Sequence, residues 1–385
     1  MKSSLFFLTV LLLSPLPASE PATEQGEAVT VDLGRKVQIA STVLGETRDI
    51  LVHLPAGYNQ TTDRYPVVYV LDGRDHFHHG TLAAKTLARF GRIPKVIVVA
   101  IPNTNRNRDL GRGKDQFKRF INDELVPMID KTYRTRDRNV LFGHSMAGAF
   151  ALYMLASEPN SFQGTIAASP SLQMEDRKLL AQFPAFLAQK HAGTQSLYFT
   201  RTTAAQEGTD LSEAVDQLAA LMKKAPPALA WEYHFIPNET HMTTPNLTLY
   251  QGLSVVFRDY QLPSLATFKA FQEYGGMAGI QAFYEKRGET YGIAKDIPMG
   301  TYNSIGWMLI EDGHQEAGLL RFKELLKKKP QSPRAHAMLG NALAELNQKE
   351  QALATFRAGL ELAKSQHSRL AEFLSRRIDQ LTKEP

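Results

Sequence analysis

Cysteine is absent from the 385-residue sequence. Disulfides, thiolate metal sites, cysteine nucleophiles and a lipid anchor on an amino-terminal cysteine are therefore excluded. Long apolar runs are also missing: after Leu5 to Leu13 nothing approaches the roughly 18 residues that a membrane-spanning helix needs. Nor is there a strong excess of one charge. With 44 basic and 39 acidic residues the formal net charge is +5, spread along the chain, which argues against nucleic acid or a membrane surface as the main partner. The densest basic run, Lys327 to Lys329, falls at the end of an expected helix, where cations suit the carbonyl end of the dipole.

What is present at the amino end reads as an export signal. Met1 and Lys2 precede the short apolar run, and "SPLPASEPA" follows with small residues suited to cleavage near Ala18 to Ala22. Residues 1–19 are thus expected to be removed as a signal peptide. The rest is expected to be free in the periplasm or secreted.

From Val29 to about Tyr260, β-rich runs alternate with helical patterns. "VTVDL", "KVQIASTV" and "RDILVHLP" read as antiparallel strands, whereas "YPVVYVLDG" and "KVIVVAIPN" are continuous apolar runs of the kind buried on both faces. "NVLF", "GTIAAS", "SLYFT" and "WEYHFIP" follow, separated by helix-length segments. This alternation predicts an α/β fold with a mostly parallel central sheet flanked by helices.

After Tyr260 the pattern becomes helical and repeats at an offset of 34. Ile305 matches Leu339, Gly306 matches Gly340, Leu309 matches Leu343, Leu319 matches Leu353, and Phe322 matches Phe356. Gly313 and Asn347, both tolerant of left-handed backbone, occupy the matching turns. The period resembles the tetratricopeptide repeat. Two repeats are too few to stand alone and should lean on neighbouring structure. The expected organisation is an α/β domain over 26–262, a helical linker over 263–300 and a C-terminal all-α repeat-like domain over 301–385.

The segment "GHSMAG" places Ser145 between a buried strand and an apolar helix. A serine hydroxyl becomes a useful nucleophile only when a base takes its proton and a sharp turn holds it clear of its own backbone. Gly143 and Ala147 supply the small neighbours such a turn requires, and the Met146 N–H at the helix start can donate to an oxyanion. The chain order of this architecture then asks for an acid and a histidine, each after a later strand. Glu207 and Asp210 follow "SLYFT", with Glu207 favoured because Asp210 reads as a helix start. His241 follows "WEYHFIP".

A second oxyanion amide is expected after "YPVVYVLDG", at Arg74 with Gly73 beside it. In "HFHH", His76, His78 and His79 lack an evident third ligand from another element, so they read as the rim of a cleft and no metal is expected. Arg106, Arg108 and Arg112 either grip a substrate or pair with Asp109 and Asp115. His144, expected to be exposed beside the serine, is a further substrate-contact candidate.

"YPVVYVLDG", "AIPNTNRNRDL", "GHSMAGAFALY" and "PNETHMTTP" together resemble the putative-esterase family of α/β-hydrolases over about residues 28–260. That family includes enterobactin-type trilactone esterases, S-formylglutathione hydrolases and mycolyl-transferring enzymes, and the enterobactin-esterase-like branch is the nearest in flavour. The resemblance implies a triad of Ser145, His241 and Glu207, with the Met146 and Arg74 amides as oxyanion hole. The acid loop departs furthest, since "TTAAQEG" matches the family's "NEG" only loosely.

The expectation is a serine esterase that needs no cofactor and acts on a small-molecule ester, either a siderophore ester or a short acyl ester. Acyl transfer of the mycolyl-transferring type is the alternative. A non-catalytic scaffold is another, in which the helical repeats bind a protein partner or a second copy.

Overall fold

The computed structural model describes residues 29–189 and 195–383. The expected signal peptide lies outside the described residues. Val29–Leu33 carry no regular structure, so the strand expected in "VTVDL" is not formed. Val29 and Val31 are exposed, and alternate valines that bury nothing gain little from extended pairing.

Residues Gly34–Pro385 form one compact unit. In chain order its sheet strands are β1 (Arg35–Ser41), β2 (Glu46–His53), β3 (Tyr65–Leu71), β4 (Ile97–Ile101), β5 (Thr135–His144), β6 (Gly164–Ala168), β7 (Gln195–Arg201) and β8 (Leu229–Phe235). They lie in the order β1-β2-β4-β3-β5-β6-β7-β8. Only the β1/β2 and β2/β4 pairs are antiparallel; the others are parallel. Parallel pairing puts the carboxyl ends of β3 to β8 along one rim, and the strand order reverses between β3 and β5, the place where ligands collect in open parallel sheets.

The central strands are apolar because both their faces are covered. In β3, Tyr69 and Leu71 join a core with Leu141, Phe117 and Phe150 on one side of the sheet. Val68 and Val70 join Phe142, Leu249 and Leu253 on the other. This two-residue alternation within an unbroken apolar run is what a doubly covered strand requires. Helices α1 (Gly73–Arg89), α2 (Met146–Ser157), α3 (Thr209–Met222) and α4 (Thr244–Val256) follow β3, β5, β7 and β8.

The helical half comprises α5 (Gly276–Tyr291), α6 (Met299–Glu311), α7 (Gln315–Lys328), α8 (Pro333–Glu345), α9 (Lys349–Ser365) and α10 (Leu370–Lys383). The repeat seen in the sequence recurs in its hydrogen bonds. Helix α6 ends at left-handed Gly313 with His314 N–H on Leu309 O, and α8 ends at left-handed Asn347 with Gln348 N–H on Leu343 O. The run Lys327 to Lys329 does fall at the end of α7.

The two halves meet through arginine. Arg136, near the start of β5, donates to Thr290 O (2.6 Å) and Glu289 O (2.7 Å), the terminal carbonyls of α5. Such carbonyls have no partner within their own helix and carry the negative end of its dipole. Arg138, two residues on, pairs with Asp259 of its own half at 2.9 Å, and Asp259 in turn accepts from the Tyr291 hydroxyl of α5 (2.6 Å).

Close helix crossings set the glycines of the repeat. A Cβ at Gly306 would lie 2.5 Å from the Phe322 ring, and one at Gly340 would lie 2.4 Å from the Phe356 ring. Gly340→Ala should therefore destabilise the protein by about 1–3 kcal/mol through overpacking, despite alanine's better helix propensity. Thermal melting of the full chain is the measurement, with Phe356→Leu expected to restore part of the loss. A raised melting temperature for Gly340→Ala alone would contradict this packing.

Candidate active site at the carboxyl rim of the sheet

Ser145 stands between β5 and α2 with φ 58° and ψ −118°. Such a conformation costs a non-glycine residue on the order of 1–3 kcal/mol and persists only where its surroundings impose it. Here both backbone groups are held. Its N–H donates to Ala168 O (2.9 Å), and its carbonyl accepts from Ala149 N (3.0 Å) and Ser171 N (3.0 Å). The turn is so tight that a Cβ at Gly143 would lie 2.1 Å from Ala147 O, so only glycine fits there. Ala147 is itself fully buried, which explains why a small side chain suffices at that position.

The Ser145 hydroxyl lies 3.0 Å from the Ser171 hydroxyl. Sequence reasoning overlooked Ser171, although its place just beyond β6 on the same rim was a usable signal. Met146 begins α2, so its N–H is among the amides that have no acceptor within the helix.

Glu207 ends a single helical turn, Ala204–Glu207, after β7, and Gly208 at φ 85° turns the chain into α3. The Glu207 side chain is fully enclosed, and neither of its oxygens has a hydrogen-bond partner among the described residues. Its Oε1 is 3.6 Å from His241 Nδ1. That is an ion-pair separation rather than a hydrogen bond. Asp210 is exposed in the first turn of α3. Of the two acids left open by the sequence, Glu207 is the one beside His241.

His241 lies in the loop between β8 and α4. Thr202 Oγ1, at the end of β7, donates to Glu239 O (2.5 Å), tying the acid loop to the histidine loop. His234 stands apart on β8, 3.1 Å from the Tyr198 hydroxyl.

The turn carrying Arg74 is held from below. Asp72 is left-handed (φ 51°, ψ 48°) at the start of α1, and a Cβ at Gly73 would meet Ile101 N at 2.7 Å. Arg106 grips the Asp72 carboxylate through Nε (2.9 Å) and Nη2 (2.9 Å), and Asn103 donates to the same carboxylate. The guanidinium expected to contact substrate thus closes a turn beside the serine.

Arg108 is engaged elsewhere, with Glu46 (2.6 Å) and Asp109 (2.7 Å). Asp109 also binds the completely buried Arg48 at 2.7 Å. Asp115 accepts from the Tyr153 hydroxyl.

The expectation of an exposed His144 is corrected: it is 4% exposed. Its Nε2 is 2.8 Å from the His241 carbonyl, and the His76 and His241 rings enclose it at 5.7 and 4.7 Å. Burial, reinforced by the neighbouring His241 and His76, pushes its pKa down to about 3. His76 is also buried, with Nδ1 2.9 Å from His79 Nε2, so it lies beneath the rim rather than on it. Among the described residues no group of three or more His, Cys, Asp or Glu side chains could hold a metal ion. Nor is any helix among them long and apolar enough to cross a membrane.

The profile of the family described as "Putative esterase" matches residues 41–244, and that described as "Tetratricopeptide repeat" matches residues 309–376. The chain is 33% identical to the ferri-bacillibactin esterase BesA of Bacillus subtilis (strain 168), over 32% of this chain and 54% of that protein. It is 37% identical to the siderophore enterobactin esterase of Emericella nidulans, over 20% of this chain and 26% of that protein. The chain thus spans about half the length, or less, of these curated relatives. A solved IroE-like serine hydrolase from Shewanella oneidensis shares 27% identity with a TM-score of 0.57, covering 75% of this chain and 97% of its own.

Glu46 yields a pH test of the arginine network behind the rim. Its hydrogen bond from Arg108, aided by Arg48, holds its carboxyl at about 2 against the opposing effect of burial. The resulting stabilisation is complete above the ordinary value of 4.5 and is lost as pH falls through about 2. Glu46→Gln should therefore melt below wild type at neutral pH, with the gap closing as the solution is acidified toward about 2. An equal gap at both ends of that range would show that the charge is not what matters.

Proposed function

The chain belongs to the family described as putative esterase, and from that membership we propose that it is a secreted serine carboxylesterase using Ser145, His241 and Glu207. The observation that carries this reading is the strained Ser145 at the rim, flanked by a histidine–carboxylate pair on two later loops. In the proposed reaction the Ser145 hydroxyl turns from Ser171 toward His241, which takes its proton as Oγ attacks the ester carbonyl carbon. The Met146 and Arg74 amides receive the oxyanion. As the tetrahedral centre collapses, the C–O bond to the alcohol breaks and His241 returns the proton to the leaving oxygen. Water, activated in the same way, then releases the acyl group from Ser145.

The environment of Glu207 supports its role as the acid. A carboxylate enclosed without hydrogen bonds is costly unless a cation stands beside it. The imidazolium that forms on His241 during the reaction is that cation. A polar, exposed acid such as Asp210 would have little influence on the ring.

The substrate class we propose is a siderophore ester, supported by the names of the two esterase relatives. A shallow cleft beside Ser171, with a cavity volume of about 50 Å³ and lined by Leu110, Met146, Phe150, Tyr153 and Leu179, offers an apolar wall for one part of such a molecule. Lys114 and Glu175 pair at its edge, 3.0 Å apart. We place the catalytic domain at 26–262, the connecting helices at 263–300 and the repeat-like domain at 301–385, where a protein partner would bind. Export is supported by the sequence of residues 1–22.

With a p-nitrophenyl ester, Ser145→Ala should lower kcat by about 10³-fold or more, and Glu207→Gln by about 10²–10⁴-fold. Asp210→Asn should stay within about twofold of wild type, because an exposed residue of this kind contributes little. A fluorophosphonate should label wild type and spare Ser145→Ala. Undiminished turnover by Ser145→Ala would remove the proposal.

A further inference from the structure

His144 precedes the nucleophile, yet its side chain serves another loop. A carbonyl oxygen can only accept, so the 2.8 Å contact between His144 Nε2 and His241 O fixes Nε2 as the protonated nitrogen. The same carbonyl accepts from Thr244 Oγ1 at 3.0 Å. Thr244 is completely buried and its hydroxyl is 3.1 Å from that of Ser169. Two donors from separate elements, the end of β5 and the start of α4, therefore converge on the backbone of His241.

The surroundings keep His144 in its donating form. The charged or titratable groups nearest it are His241, His76 and Arg106, whose Nη2 lies 3.4 Å from the His144 carbonyl. All three are potential cations, and none would welcome a second proton on His144. The His76 ring stands edge-on to His144, and His76 is itself braced by His79. Of the "HFHH" histidines, His76 and His79 thus form a packed pair behind the site, both held below the ordinary imidazole range by burial.

We infer that His144 is a positioning residue for His241: its Nε2–H, together with the Thr244 hydroxyl, pins the His241 carbonyl and so sets where the imidazole stands relative to Ser145. This rests on the reading of His241 as the base. The 3.6 Å separation from Glu207 shows why a second tether matters. The carboxylate alone does not hold the ring at hydrogen-bond distance. A displacement of about 1 Å at a reacting group can cost on the order of 10²-fold in rate.

The test is ester kinetics on full-length His144→Leu, His144→Gln, Thr244→Val and the His144→Leu/Thr244→Val pair. His144→Leu should lower kcat by about 10–100-fold with KM within about twofold, since the residue is buried away from substrate. His144→Gln should recover most of that loss, because its amide N–H can reach the same carbonyl. The double variant should lose less than the product of the two single losses, as expected for two donors on one acceptor. The rate of fluorophosphonate labelling at Ser145 should fall in step with kcat.

Wild-type kcat in His144→Leu, with Ser145→Ala inactive, would overturn the positioning role alone. A fully active Ser145→Ala would instead overturn the esterase reading beneath it. If His144→Leu fails to fold, His144→Gln and Thr244→Val carry the test. His144→Gln with wild-type melting and kcat as low as in Ser145→Ala would refute the donor role, and so would wild-type kcat in Thr244→Val.

Discussion

The site depends on a single residue being forced into a conformation it would not choose. Ser145 is held at positive φ because its amide, its carbonyl and the space around Gly143 are all committed to neighbours. Its amide reaches across to β6, and its carbonyl is shared between α2 and the loop bearing Ser171. The energy that opposes this geometry is set against three hydrogen bonds and the packing of α2 on the sheet. The hydroxyl is thereby presented at the rim whether or not a substrate is there. This is the value of building such a turn between a strand buried from Asn139 to His144 and an apolar helix, since neither can yield.

Around that turn, arginines act mainly as fasteners. Arg106 closes the Asp72 turn, Arg48 and Arg108 knit Glu46 to Asp109, and Arg136 finishes the end of α5. A planar guanidinium with several donors can join loops that share no secondary structure. The loop after β4, rich in arginine and asparagine, is therefore better understood by what it ties than by what it displays. Besides its own Asp109, its carboxylate partners, Asp72 and Glu46, come from two other segments.

Much of this organisation was legible in the sequence, for a physical reason. Buried strands, their alternation with helices and the 34-residue spacing are local or periodic patterns. The crossings of Gly306 with Phe322 and of Gly340 with Phe356 carry that period into side-chain contacts. Ser145, His241 and Glu207 could be nominated because each follows a strand in a known order. The environment of each could not. Burial of His144 depends on His241, 97 residues away, and on His76 from α1. The pairing of Arg48 with Asp109 spans 61 positions. "VTVDL" misled because alternation alone does not reveal whether anything will cover the valines.

Strand β5 has a role at each end. At one it delivers Ser145; at the other, Arg136 is plugged into the last carbonyls of α5. Ten residues at about 3.3 Å each separate these ends by roughly 30 Å, and a paired strand in the middle of a sheet barely stretches. The seat of the helical array and the seat of the serine are thus two ends of one inextensible rod. Cutting away the array, α5 included, would be no mere trimming of an appendage, because it would leave both donating nitrogens of Arg136 unanswered at the foot of that rod.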